Sequence, residues 1–144
     1  MSRTLYIFGA VEEELTPLRS HIPNSISAVL HPVGIGSIAG AIAATAILTS
    51  ASPNQAQVIF VGSIGSYDRT VALLSLVLAK ESVFADPTIA TGQSFLPPLT
   101  NARLLSNHEL TASLHSALPT ALLEPIATTP SITRDEKQGE LLSR

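Results

Sequence analysis

Three consecutive carboxylates, Glu12, Glu13 and Glu14, stand just past the short apolar run Leu5 to Ala10. A carboxylate in that place can take a proton from water. It can equally offset the positive end of a helix dipole. The residues alone leave both uses open. Three small-residue turns are the other candidates: Gly9-Ala10, Gly34-Ile35-Gly36 and Gly62-Ser63-Ile64-Gly65. Such turns let backbone amides approach a ligand closely, though each also serves as a plain strand-to-helix turn.

Several familiar chemistries fail on spacing. Gly34-x-Gly36 is followed by Ala39 where a dinucleotide fingerprint needs glycine, and Gln55 and Gln57 occupy the region of its acid. No Gly-Lys-Ser/Thr occurs, which excludes a phosphate-binding P-loop. Val61 stands where a nucleophile elbow around Ser63 needs glycine. His108-Glu109 is followed by Ala112, so the two-histidine zinc helix fails. His21, His31, His108 and His115 show no ligand spacing, and no metal or cofactor is expected. Without cysteine there is no disulfide, thiolate site or thiol nucleophile.

The elements that must position these residues follow from periodicity. Thr4–Gly9 and Gln57–Val61 read as buried strands, with Ser27–Val33 between them as another strand and the apolar Val71–Lys80 as a fourth. Val11–Ser20 reads as a helix, with Pro17 expected to shorten or reset it. Ser37 is expected to cap a second helix from Ile38 to about Ser50, apolar all round and so packed on both faces. Residues 87–101 read as a long proline-containing loop. Capping boxes at Ser106-x-x-Glu109 and Thr133-x-x-Glu136 predict helices from about Asn107 to Ala117 and from Arg134 onward, with a strand at Pro125–Thr129 between them. This order predicts an α/β fold: a three-layer sandwich around a central mixed, largely parallel sheet. Ligands of such sheets bind at the carboxyl ends of the strands, where the three turns lie.

The 144 residues, 45% hydrophobic and 13% charged, suit one globular domain rather than a disordered chain. The net charge of −3 argues against nucleic acid as a partner. The N-terminus lacks the pattern of a secretory signal, and prolines interrupt the uncharged stretch 20–67, so a cytoplasmic protein without a membrane span is expected. That uncharged stretch predicts burial on most sides, by its own domain or by a partner subunit.

The turns occur in a recognisable order: GAVEEEL at 9–15, VGIGSIAGAIAAT at 33–45 and VGSIGSYD at 61–68. Together they resemble the nucleoside phosphorylase and nucleosidase superfamily, on its nucleosidase side. LLSLVLAKESVFAD at 73–86 and GQSFLPP at 92–98 look most like futalosine hydrolase, with methylthioadenosine/adenosylhomocysteine nucleosidase as the alternative. The resemblance implies hydrolysis of the N-glycosidic bond of a purine nucleoside, and for futalosine a place in menaquinone biosynthesis. It implies that Glu14 activates water. It places Ala10 and Val11 on the ribose side, Ile35 near the 5′ substituent, and Ser63, Ile64 and Gly65 in the base-and-ribose turn. It also implies a homo-oligomer.

The resemblance covers about residues 4 to 136, in one domain spanning 1–144. Family members continue with a Glu-Met-Glu or Asp-Met-Glu strand that grips the ribose hydroxyls, then a late aspartate that protonates the purine. ATTPSITRDE at 127–136 matches the segment just before that strand, and Ser75-Leu76-Val77 replaces the usual Gly-Asp after the third turn. The resemblance therefore implies a C-terminally incomplete domain. A non-catalytic nucleoside-binding or assembly homologue is the remaining alternative.

Overall fold

The computed structural model describes residues 3–52, 55–98, 101–130 and 136–142. They form two compact units, residues 1–65 and 66–144.

The first unit is built on three parallel strands: β1 (Thr4–Gly9), β2 (Ala28–Pro32) and β3 (Ala56–Phe60), in the order β2-β1-β3. Leu5 pairs with Ala28 on one side and Gln57 on the other. The chain therefore steps one way through α1 (Glu12–Arg19) and back across β1 through α2 (Ser37–Leu48). Right-handed connections in opposite directions put the two helices on opposite faces of the sheet. Ile7 and Phe8 point to opposite faces by strand alternation, and both are buried. Leu15 of α1 is fully buried. All three strands end at the same edge of the sheet, as expected.

Several local expectations change. Pro17 lies inside α1 without ending it. Helix α1 is held at its outer surface by Arg19, which donates to both Glu12 carboxylate oxygens at 2.8 and 3.1 Å. Ser37 is the first residue of α2 rather than its cap. The cap position is Gly36, whose φ of 92° and ψ of 153° suit glycine almost alone. Helix α2 is apolar but contains no buried residue: Ile38 is 77% and Ile42 67% exposed. The uncharged stretch is thus little buried by its own domain, one of the two sources of burial its composition predicts. Only one stripe of a helix can face its own sheet, and composition does not say what covers the rest.

The second unit carries β4 (Val77–Phe84), α3 (Pro87–Ala90), β5 (Arg103–Leu105), α4 (His108–Ala117), β6 (Leu122–Thr128) and α5 (Glu136–Leu142). Its sheet runs β5-β4-β6, antiparallel between β4 and β5 and parallel between β4 and β6. The chain is α/β with mainly parallel ladders, as the element order predicts.

The strand expected from Val71 instead begins at Val77. Residues before it turn, with Leu74 at φ 64° and fully exposed. Hydropathy marks 71–80 as one run, but the ladder starts where Val77 meets Leu122. Strand β6 starts three residues earlier than expected and tolerates Pro125 because it lies at the sheet's edge. The expected loop contains the short helix α3, capped by Asp86, whose side chain accepts the Thr88 amide, and the unexpected strand β5 follows it. Asn107, not Ser106, caps α4: its side chain accepts the Leu110 amide at 2.9 Å. The Ser106 amide is committed to the Lys80 carbonyl. The Thr133 capping box falls on residues outside those described.

Candidate active site

The site lies at the carboxyl edge of the first sheet, where β1 is flanked by β2 and β3. After Gly9 the chain leaves β1 through Ala10 and Val11. Val11, extended at φ −134° and ψ 161°, occupies the cap position of α1 without giving it a side-chain cap. Glu14, the third residue of the helix, turns back instead, and its Oε2 accepts the Ala10 amide at 2.8 Å. A carboxylate in the first turn is favoured there by the helix dipole and by unused amides.

The other oxygen reaches the turn after β3. Oε1 accepts the Ser63 amide at 3.1 Å and lies 3.4 Å from the Ser63 hydroxyl, which also donates. The turn after β2 joins through the same residue: the Ala10 carbonyl accepts the Gly34 amide at 3.0 Å. One residue, Ala10, thus ties the first turn both to the carboxylate and to the second turn.

Hydrogen bonds hold the Glu14 carboxyl below the usual carboxylate range. The Ser63 amide contributes most, partial burial opposes it, and the Ala10 and Val11 amides and the Ser63 hydroxyl add to the lowering. The group is therefore ionised at neutral pH. Oε1 accepts both the amide and the hydroxyl of Ser63, while Oε2, which accepts the Ala10 amide, is the oxygen with acceptor capacity for a further donor such as a water molecule. A fixed, ionised carboxylate with spare lone pairs can orient water and take its proton.

The candidate residues separate clearly. Ala10, Glu14 and Ser63 are brought together by hydrogen bonds, and Val11 lies between the first two. Ile35 and Ile64 are exposed, at 79% and 56%, on the turns that follow β2 and β3. Gly65 faces open space. Glu12 belongs to the Arg19 ion pair, away from this chemistry. The sequence reading named Ala10 and Gly62 within their turns but missed what the structure shows of each: the Ala10 backbone joins two turns, and Gly62 stands beside the carboxylate. A glycine directly before the serine of the third turn was the only sequence signal for the latter.

Among the described residues no group of three or more His, Cys, Asp or Glu side chains is placed to hold a metal ion. The second unit contains an open cavity of about 450 Å³ lined by residues including Lys80, Leu105, His108, His115 and Leu123. None of its lining residues is acidic, so it offers no carboxylate base.

The fold of this chain matches that of solved nucleosidases. The 5′-methylthioadenosine/S-adenosylhomocysteine nucleosidase of Helicobacter pylori, solved with butyl-thio-DADMe-Immucillin-A, matches with a TM-score of 0.81 and 18% identity, over 99% of this chain and 71% of that one. The corresponding nucleosidase of Neisseria meningitidis, in complex with methylthio-immucillin-A, gives 0.81 and 19%, over 97% and 70%. Futalosine hydrolase of Helicobacter pylori gives 0.79 and 19%, over 99% and 73%. At these identities the likeness is one of fold. No family model matches the sequence, and no curated protein matches it.

Proposed function

We propose that this protein is a nucleosidase: it hydrolyses the N-glycosidic bond of a purine nucleoside, with Glu14 as the base that activates water. The observation that carries this reading is the Glu14 carboxylate, fixed by the Ala10 and Ser63 amides and held ionised on a nucleosidase fold. Water attacks the anomeric carbon of the ribose, its proton passes to Glu14, and the base leaves with the electrons of the glycosidic bond. Positive charge develops on the ribose in the transition state, and a nearby carboxylate stabilises it. In this reading Ala10 and Val11 line the ribose side, Ile35 lies near the 5′ substituent, and Ser63, Ile64 and Gly65 form the base-and-ribose turn.

The proposed substrate is futalosine, which places the reaction in menaquinone biosynthesis; methylthioadenosine and adenosylhomocysteine are the alternatives. The preference rests on the resemblance of residues 73–86 and 92–98 to futalosine hydrolase. A cytoplasmic location goes with that substrate class. Assembly into a homo-oligomer is proposed from helix α2, whose exposed isoleucines lie in a stretch free of charge.

The test is release of free purine base from futalosine, methylthioadenosine and adenosylhomocysteine, followed chromatographically. Release that Glu14→Gln abolishes supports the reading. Nucleoside binding without release replaces it with a binding function, and neither binding nor release removes it.

A further inference from the structure

We propose that Gly62 is a positioning residue for the Glu14 carboxylate, its missing side chain leaving the space the carboxylate occupies. A Cβ added at Gly62 would stand 3.0 Å from Glu14 Oε1, 3.4 Å from Oε2 and 3.5 Å from Cδ. The three nearest atoms all belong to Glu14. Ordinary van der Waals contact begins at about 3.4 Å for such a Cβ.

The backbone does not explain the glycine. Gly34, Gly36 and Gly92 are the glycines with positive φ among the described residues, and Gly62 is not one of them. An alanine could adopt its backbone, so the obstacle to a side chain is the carboxylate. Nor can the carboxylate give way freely. Oε1 accepts the amide of Ser63, the very next residue, and Oε2 accepts that of Ala10. Moving Oε1 off an added methyl group lengthens the Ser63 bond; rotating about it disturbs the Ala10 bond. Gly62 therefore acts through Glu14.

The experiment compares the wild-type protein with Gly62→Ala and with Gly40→Ala as a control. A Cβ at Gly40 meets Val33 Cγ2 at an ordinary 3.9 Å. The Glu14 carboxyl is titrated by NMR, with Glu14→Gln assigning its signal. The expected result is a midpoint that moves upward in Gly62→Ala, as the Ser63 amide is lost, and stays put in Gly40→Ala. This arm needs no activity. The kinetic arm rests on the proposed role of Glu14: kcat for base release falls about ten- to a hundredfold, with KM little changed. An inactive wild-type protein removes that role while the titration still decides the place of Gly62.

A thermodynamic cycle covers poor folding of Gly62→Ala. The substitution is made with Glu14 present and again in a Glu14→Ala background. Removing the carboxylate removes the obstacle, so Gly62→Ala lowers Tm clearly in the first case and little in the second. Equal losses in both backgrounds, or an unmoved Glu14 midpoint, overturn the proposal.

Discussion

The side chain of Leu15 lies against Gly9: its Cγ and Cδ2 are 3.1 Å from where a Cβ on that glycine would stand. Leu15 is fully buried, and Glu14 precedes it on the same helix. The contact fixes the height of α1 over the end of β1, and with it the reach of the carboxylate. Leu15→Ala is expected to cost about 3 kcal/mol through lost burial and a residual cavity. Urea denaturation measures the loss.

Glu14→Gln keeps the shape of the side chain and removes its charge. Base release is expected to fall about a hundredfold or more, because the amide cannot take a proton from water. Nucleoside binding, read by calorimetry, is expected to persist. Retained turnover removes Glu14 from the base role.

The sign of the Glu14 shift fixes its pH dependence. Its carboxyl is held low by the Ser63 amide first and by the Ala10 and Val11 amides, against partial burial. The ionised form is therefore favoured by folding. Its contribution to stability is complete above the ordinary carboxylate range and is lost as pH falls through the lowered folded value. The acid limb of kcat/KM is expected below that ordinary range. In Glu14→Gln this part of the acid dependence of Tm disappears, which a pH series of thermal melts checks.

Asn107 caps α4 and Ser106 does not. Asn107→Ala is expected to destabilise the protein by about 1 kcal/mol, the usual worth of a side-chain cap. Ser106→Ala is expected to change stability much less. Equal losses in paired denaturation curves would return the cap to Ser106.

Gly36→Ala meets no atom within 4 Å, yet its φ is +92°. The expected cost is about 1–3 kcal/mol, from backbone strain alone. A melting temperature equal to that of the wild type contradicts this geometry.

The sequence was most legible where a local rule acted without a competitor. Strand β1 begins at Thr4 and ends at Gly9 as read, because the apolar run and the glycine after it mark both limits. Ser106 and Asn107 are both good caps, and the choice between them was made by the Lys80 carbonyl, which engages the Ser106 amide from another strand. The start of β4 was misplaced because Val71 to Leu76 is as apolar as the strand that follows; pairing with Leu122, distant in sequence, sets the limit. Strand β5 is three exposed residues, too short to show a period. At the site, the family resemblance singled out Glu14 and Ser63, and the structure joins them. The role of Gly62 was invisible, since a glycine's spacing does not report which side chain fills the room it leaves.

The central position of β1 has a consequence for how the protein is made. Of the three strands of the first sheet, the one made first is the middle one, and one of its sides stays unpaired until Ala56–Phe60 arrives. Glu14 and Ser63 are 49 residues apart, so their bond closes a long loop, which costs chain entropy and comes late. A nascent chain that has not yet reached Ser63 can hold Glu14 by the Ala10 amide alone. The same closure that completes the first sheet brings the Ser63 amide to Glu14, so a half-made chain has the carboxylate but not its geometry.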